Sequence, residues 1–267
     1  MPELPEVEVI TSFFAEKAAG RFIKHVTINR RDLRIRIADG FEDAVVGERI
    51  KSVHRVSRHL VFLLSGSKRI MFHLGMSGKM TYAAPYVQSK HDHFVMLLDD
   101  EFHIVFNDPR RFGAVLLVNS RQYESIVKKI GPDPLSDTFN AEYLRQFRKS
   151  CVKSVLMNNA IVAGIGNIYA SEILFRAGIL PMRAMCDVSH VECERIVQEA
   201  KSTLRLAIDT GGSTIRDHKI PTGAKGGFQQ YFMVYQRKGE PCRVCGACIL
   251  SERHRGRSTF FCTSCQQ

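Results

Sequence analysis

At 267 residues and 45% hydrophobic, the chain is long enough for two cored domains, and it shows neither low complexity nor an internal repeat. Lysine and arginine number 38 against 27 acidic residues, a formal charge of +11, which calls for a polyanionic partner. No apolar run reaches the ~18 residues of a membrane span, no charged-then-apolar leader opens the chain, and the basic residues are not gathered on one amphipathic helix, so nucleic acid is expected rather than membrane.

The spacing predicts a helix over 5–19. Pro5 suits a first turn, Val7, Ile10, Phe13, Phe14 and Ala18 repeat at helical intervals, and Gly20 supplies the stop. The period then changes. Segments 22–28, 49–56, 60–65, 69–74, 79–84, 93–99, 102–107 and 114–118 are short, rich in β-branched or aromatic residues, and separated by turn residues. Such a series predicts a sandwich or barrel-like pair of sheets. The stretch 131–138, with two prolines and a glycine, has the composition of a linker. Helices are expected at 141–150, 151–158, 167–177 and 189–209, the last ended by Gly211 and Gly212. Residues 213–230 form a polar loop containing glycine and lysine, and 231–267 a β-hairpin module.

Of eight cysteines, Cys151, Cys186, Cys193 and Cys248 are scattered. The other four are ordered as Cys242-x2-Cys245, sixteen residues, then Cys262-x2-Cys265. This spacing is that of a structural zinc site. Four thiolates suit tetrahedral Zn²⁺ and leave no open position for catalysis. A tail this short builds little core, so metal binding would supply its folding energy. The pattern fits a reducing compartment better than a disulfide framework. Between the pairs lie Arg253, His254, Arg255 and Arg257, of which Arg257 is best placed to meet a phosphate.

The chain opens Met1-Pro2-Glu3-Leu4-Pro5-Glu6. A small second residue permits removal of Met1, leaving Pro2 with a free secondary amine. An α-amino group titrates near ~8, so roughly a tenth is neutral at pH 7. A secondary amine attacking an aldehydic carbon gives a permanently cationic iminium, an electron sink for elimination at the neighbouring carbon. Glu3 and Glu6 lie within reach for proton transfer, although Glu6 would equally serve as favourable first-turn charge. A retained Met1 would cap the amine.

MPELPEVE and the hairpin CRVCGACI…RSTFFCTSCQ closely resemble the formamidopyrimidine-DNA glycosylase family. Further matches are HLGMSG (73–78), KHDH (90–93), NDPRRFG (107–113), GPDPL (131–135) and GIGNIYASEILF (164–175). The resemblance implies an α+β protein. An N-terminal catalytic β-sandwich domain over 1–130 is flanked by helices and followed by a linker at 131–140. A helix-two-turn-helix domain with a lesion-recognition loop spans 141–230, and a β-hairpin zinc finger with one structural Zn²⁺ spans 231–267. It further implies a bifunctional glycosylase and abasic-site lyase acting on oxidised purines in damaged double-stranded DNA, working as a monomer in the bacterial cytoplasm, associated with the nucleoid.

In residue terms the resemblance makes Pro2 the Schiff-base nucleophile, Glu3 the proton shuttle and Glu6 a support of the reaction centre. Where the family carries a supportive lysine, this chain has Arg58, which keeps the charge but replaces a compact ammonium with a planar fork. Met76, Arg110 and Phe112 match residues that fill the gap left by an everted base, an apolar wedge and a cation offsetting the cost of unstacking. His91 and Arg111 are also expected at the DNA. Asn167, Lys153 and Arg257 match phosphate-contacting positions, Asn167 at a helix N-terminus. In the loop, Arg216, Lys225 and Phe228 are expected to face the everted base. Leu4 and the developed loop favour oxidised purines over the pyrimidine preference of the related endonuclease VIII group. The residues by themselves leave open a non-catalytic zinc-bearing nucleic-acid-binding protein.

Overall fold

A computed structural model describes residues 1–214 and 225–267. The chain divides into two compact units, one of Met1–Lys129 with Gly211–Gly227, the other of Ile130–Thr210 with Phe228–Gln267.

The first unit begins with α1 (Leu4–Ala18) and continues through β1 (Ile23–Ile28), β2 (Ile50–Val56), β3 (His59–Leu64), β4 (Arg69–His73), β5 (Lys79–Ala83), β6 (Asp92–Leu98), β7 (His103–Asn107) and β8 (Ala114–Val118). The strands form two antiparallel four-stranded sheets, ordered β1-β6-β7-β5 and β2-β3-β4-β8. Aromatic rings fill the space between the sheets. Phe62 and Phe72 of one sheet meet at 5.5 Å, and Phe72 lies 5.4 Å from Phe94 and 6.0 Å from Phe106 of the other. Phe14 of α1 reaches Phe62 at 5.9 Å, so the helix docks on the same core. This is the expected sandwich, and its strand boundaries agree with the pattern to within a residue.

Strand β3 is apolar from Leu60 to Leu64 instead of alternating, because both of its faces are covered. Leu60, Phe62 and Leu64 enter the main core. Val61, with Met71 and Val118, forms a second small cluster under Tyr123 and Ile126. Those two residues belong to α2 (Ser120–Val127), a helix not among the expected elements. The helix has no buried residue, but Asn119 and Gln122 form a reciprocal capping box at its start.

In the second unit, α3 (Ala141–Leu144) ends after one turn, although a helix to 150 was expected. Residues 145–150 offer one apolar side chain, Phe147, so no stripe remains to be buried and propagation stops. Then follow α4 (Val152–Met157), α5 (Asn167–Arg176) and α6 (His190–Asp209), the last opened by a Ser189–Glu192 capping box. Helix α5 is buried from Ile168 to Phe175 and forms the centre of the unit. The proline-rich stretch after 130 is packed: Gly131 N donates to Asn159 O at 2.9 Å, Ala163 N donates to Pro132 O at 3.0 Å, and Phe139 is fully buried. The hairpin of β9 (Leu250–His254) and β10 (Arg257–Phe261) closes the chain.

Candidate active site and zinc centre

The start of α1 converges on the chain terminus. Glu3 is its N-cap and forms a reciprocal capping box with Glu6, whose Oε2 accepts from Glu3 N at 2.8 Å. Glu6 Oε1 accepts from Ser213 N at 2.7 Å and Ser213 Oγ at 2.8 Å. Both carboxylates are nearly inaccessible, at 4% and 2% exposure. Burial of charged carboxylates is tolerable only with such partners. Glu6 thereby ties the terminus to the base of the 213–230 loop. There Gly226 N donates to Thr214 Oγ1 at 2.8 Å, and a Cβ on Gly226 would stand 2.3 Å from Gly212 O.

Pro2 is buried behind Met1, whose Sδ lies 3.8 Å from Arg58 Nη1. The terminal amine is held below its ordinary 8.0, first by burial. Arg58 and Arg110 add to that lowering, while Glu3 and Glu6 oppose it. Pro2, Glu3, Glu6, Arg58 and Arg110 are thus brought to one place. Arg58 occupies the β2–β3 turn beside Ser57, which is buried with φ +56. Arg55, whose side chain pairs with Glu8 of α1, donates to Ser57 O at 3.2 Å and braces that turn.

Two histidines escaped the sequence reading although both adjoin named motifs. His59 follows Arg58, His73 opens HLGMSG, and their rings face each other across β3 and β4 at 5.0 Å. Gly75 N donates to His73 Nδ1 at 3.1 Å, which leaves the ring proton on Nε2. Burial pushes His73 down to about 4, with His59, Arg34, Arg58 and the terminal amine acting in the same direction.

The loops carrying Met76 and residues 110–112 are joined through Asp108, a fully buried residue also missed in the sequence. Its Oδ1 accepts from Ser77 Oγ at 2.5 Å and its Oδ2 from Gly113 N at 2.7 Å. Arg110 N donates to Ser77 Oγ at 3.2 Å, and Gly75 comes so close that a Cβ would lie 2.4 Å from the Phe112 carbonyl carbon. Met76 and Phe112 nevertheless stand 52% and 44% exposed, with the Arg110 guanidinium 4.8 Å from the Phe112 ring centre. The braced loops thus hold two large apolar side chains and a cation outward together. Arg111, at φ +57, pairs with Asp32 at 2.9 Å, and half-buried His91 accepts Asp108 N on its carbonyl at 3.0 Å.

In the second unit, Lys153 is buried and donates to Thr259 Oγ1 at 2.8 Å and Ser258 O at 3.4 Å. Asn167, the first residue of α5, donates to Ser258 O at 2.9 Å. Both therefore hold β10 beside exposed Arg257. Glu172, which lies inside GIGNIYASEILF, is fully buried and accepts backbone N–H groups of Met233, Val234 and Tyr235 at 2.9–3.0 Å. It fixes the chain leading into the hairpin.

Phe228 corrects an expectation. It is fully buried beside Tyr169 and Phe232 at 5.3 and 5.8 Å, a core residue of the second unit and not a face of the loop. An aromatic next to a glycine-rich loop gains more from burial among rings than from exposure. Lys225 is exposed, and Arg216 lies outside the described residues.

The Sγ atoms of Cys242, Cys245, Cys262 and Cys265 all lie within 4.8 Å of one another. Tetrahedral Zn–S bonds of ~2.3 Å place sulfurs about 3.8 Å apart, and the Cys242–Cys265 and Cys245–Cys262 pairs stand at 3.8 and 3.5 Å. The donor set fits zinc. Cys248 is exposed and outside the cluster.

This architecture is shared with known proteins, part by part and in the same order. Residues 1–115 match the formamidopyrimidine-DNA glycosylase N-terminal domain, 130–219 the formamidopyrimidine-DNA glycosylase H2TH domain, and 239–267 the zinc finger found in FPG and IleRS. Over the full length of both chains, the sequence is 44% identical to formamidopyrimidine-DNA glycosylase of Wolbachia pipientis from Culex pipiens and 40% identical to that of Acidithiobacillus ferrooxidans. A Lactococcus lactis FPG variant in complex with Fapy-dG containing DNA superposes with TM-score 0.91 at 31% identity, covering both chains fully. MutM (FPG) from Thermus thermophilus gives 0.88 at 32%, covering 99% of this chain and 98% of that one. The chain belongs to the formamidopyrimidine-DNA glycosylase family.

Proposed function

We propose that the protein is a bifunctional DNA glycosylase and abasic-site lyase that removes oxidised purines, 8-oxoguanine and formamidopyrimidines, from duplex DNA. The observation that carries this reading is the convergence of Glu3, Glu6, Arg58 and Arg110 on the chain terminus. With Met1 removed, the Pro2 amine attacks C1′ of the damaged nucleoside and displaces the base; protonation of O4′ then breaks the C1′–O4′ bond, and the nitrogen lone pair closes the ring-opened iminium. The iminium withdraws electrons from C2′, and loss of a C2′ proton expels the 3′ phosphate. A second elimination expels the 5′ phosphate. Glu3 moves protons at the sugar, Glu6 holds Glu3 and the loop base in place, and Arg58 faces a backbone phosphate.

Met76, Phe112 and Arg110 fill the gap left by the everted base, where exposed apolar groups replace lost stacking. His91, Arg111, Lys153, Asn167 and Arg257 lie along the DNA backbone, with Lys153 and Asn167 acting largely by holding the strand that carries Arg257. Arg216 and Lys225 face the damaged base. One structural zinc holds the hairpin; when bound it supplies folding energy and no reactive position. The chain acts as a monomer in the bacterial cytoplasm, at the nucleoid. No helix among the described residues is long and apolar enough to cross a membrane.

Borohydride trapping tests the mechanism. Protein shown by intact mass to lack Met1 should form a covalent adduct with an 8-oxoguanine duplex, Pro2→Gly should lose most of it, and a thymine-glycol duplex should be cleaved more slowly. Equal trapping by Pro2→Gly and wild type would overturn the assignment of Pro2, and faster thymine-glycol cleavage would replace purines by pyrimidines.

A further inference from the structure

Cys151 lies outside the zinc cluster, yet it is not isolated. Its Sγ stands 3.2 Å from His254 Nε2 and 3.0 Å from Ser154 Oγ. The thiol is half-buried at the N-cap of α4, and His254 ends β9, paired across the hairpin with Arg257. A sulfur within hydrogen-bond reach of an imidazole, with a hydroxyl on its other side, has the parts of an activated nucleophile. None of these three side chains has a part in the reaction proposed above.

We propose that Cys151 and His254 form a thiol-modification site that takes low-molecular-weight disulfides and governs the position of the hairpin tip. His254 Nε2 accepts the thiol proton as Cys151 Sγ attacks one sulfur of the incoming disulfide. The S–S bond breaks, the far half leaves as a thiolate, and Cys151 is oxidised to a mixed disulfide while that half is reduced. The imidazolium returns its proton to the departing thiolate or to water.

The site has leverage through its neighbours. The helical elements hold the hairpin at Cys151 to His254, Lys153 to Ser258 and Thr259, and Asn167 to Ser258. Arg257 sits within these attachments, three residues from His254. A substituent on Cys151 removes the thiol proton shared with His254 Nε2 at 3.2 Å, and with it that attachment. The attachment at the tip is then lost while those at Ser258 and Thr259 remain, so Arg257 shifts without unfolding of the zinc module. The effect on DNA, though not the modification itself, rests on the function proposed above.

The test treats zinc-loaded, full-length protein with one equivalent of 5,5′-dithiobis(2-nitrobenzoate). Adducts are mapped by peptide mass spectrometry, zinc release is followed with a chromogenic chelator, and binding to an abasic-site duplex is measured. Cys151 should be labelled at least tenfold faster than the exposed Cys186 and Cys248, without zinc release. His254→Gln and His254→Ala should each slow Cys151 labelling about tenfold or more while leaving Cys186 unchanged. The adduct should weaken duplex binding several-fold, dithiothreitol should restore it, and Cys151→Ser should bind the duplex equally with and without the reagent.

Faster labelling of Cys186 or Cys248, or indifference of Cys151 to both His254 variants, would overturn the site. Labelling of Cys151 with unchanged duplex binding would overturn its leverage. Failure of untreated protein to bind the duplex would count against the proposed function and leave the modification result standing.

Discussion

The two candidate centres are held in opposite ways. The terminus is fixed by its own fold: buried Glu3 and Glu6 are satisfied by backbone and Ser213 groups, and α1 behind them is sealed into a core of aromatic rings. The hairpin rests on a small cluster of Phe175, Val234, Ile249 and Phe260, in which Cys242 and Cys262 are themselves buried members. Remove the sulfur cluster and little apolar packing remains. One centre depends on the interior of a large domain, the other on a metal, and they should fail independently.

Removing zinc is the strongest way to test that contrast. A structural zinc is worth ~10–16 kcal/mol in isolated finger modules, so chelation or Cys262→Ser should melt the hairpin and abolish duplex binding. Hydrogen exchange within the β-sheets should stay slow; their simultaneous collapse would show that the two centres share one support. Next comes Glu3→Gln, which keeps an acceptor for the cap but loses the titratable group. Base release and strand cleavage should fall ~10²–10⁴-fold with duplex affinity little changed, and a proportional loss of affinity would assign Glu3 to binding instead.

A smaller effect is expected from Gly75→Ala. The position has φ +60, and the added Cβ would meet the Phe112 backbone at 2.4 Å. A penalty of ~1–3 kcal/mol should appear as a lowered urea midpoint, and an unchanged midpoint would mean that the Asp108 brace is slack. His73 supplies a pH test. Its folded value of about 4 lies below the ordinary 6.5, so the unfolded chain binds this proton first. Stability from this residue is therefore complete above about 6.5 and falls as pH drops toward 4. His73→Asn, which can still accept from Gly75 N, should lose less stability across that window than wild type. Parallel losses would remove His73 from the account. Smallest is Arg58→Lys, expected to leave cleavage equal or a few-fold higher because an ammonium is more compact than a guanidinium. A severe loss would mean that the β2–β3 turn is fitted to arginine.

Much of this was legible in the chain. The short β-branched and aromatic runs of β1–β8, set apart by turn residues, and the helical spacing of α1 are local signals, as is the paired spacing of the four cysteines. Failures came where the deciding partner is distant or the local signal is polar. Helix α2 is only eight residues long and rests on the sandwich through the partly buried Tyr123 and Ile126, too short a stripe to stand out, although its capping box was readable. The helix at 141 stops early for want of an apolar stripe. Asp108, 31 residues from Ser77, and Glu172, more than 60 from the N–H groups it satisfies, lie inside NDPRRFG and GIGNIYASEILF, but no nearby residue marks either as a brace.

By itself the sequence determined most of the elements and the paired spacing of Cys242, Cys245, Cys262 and Cys265, because each depends on residues near one another along the chain. The tertiary structure alone decided that Glu6 reaches Ser213, that Phe228 belongs to a core, that Met76 and Phe112 stand outward on loops tied by Asp108, and that Cys151 meets His254. The physical reason is that hydrogen bonds and burial depend on distance in space, and a buried polar group takes whichever partner the fold brings to it.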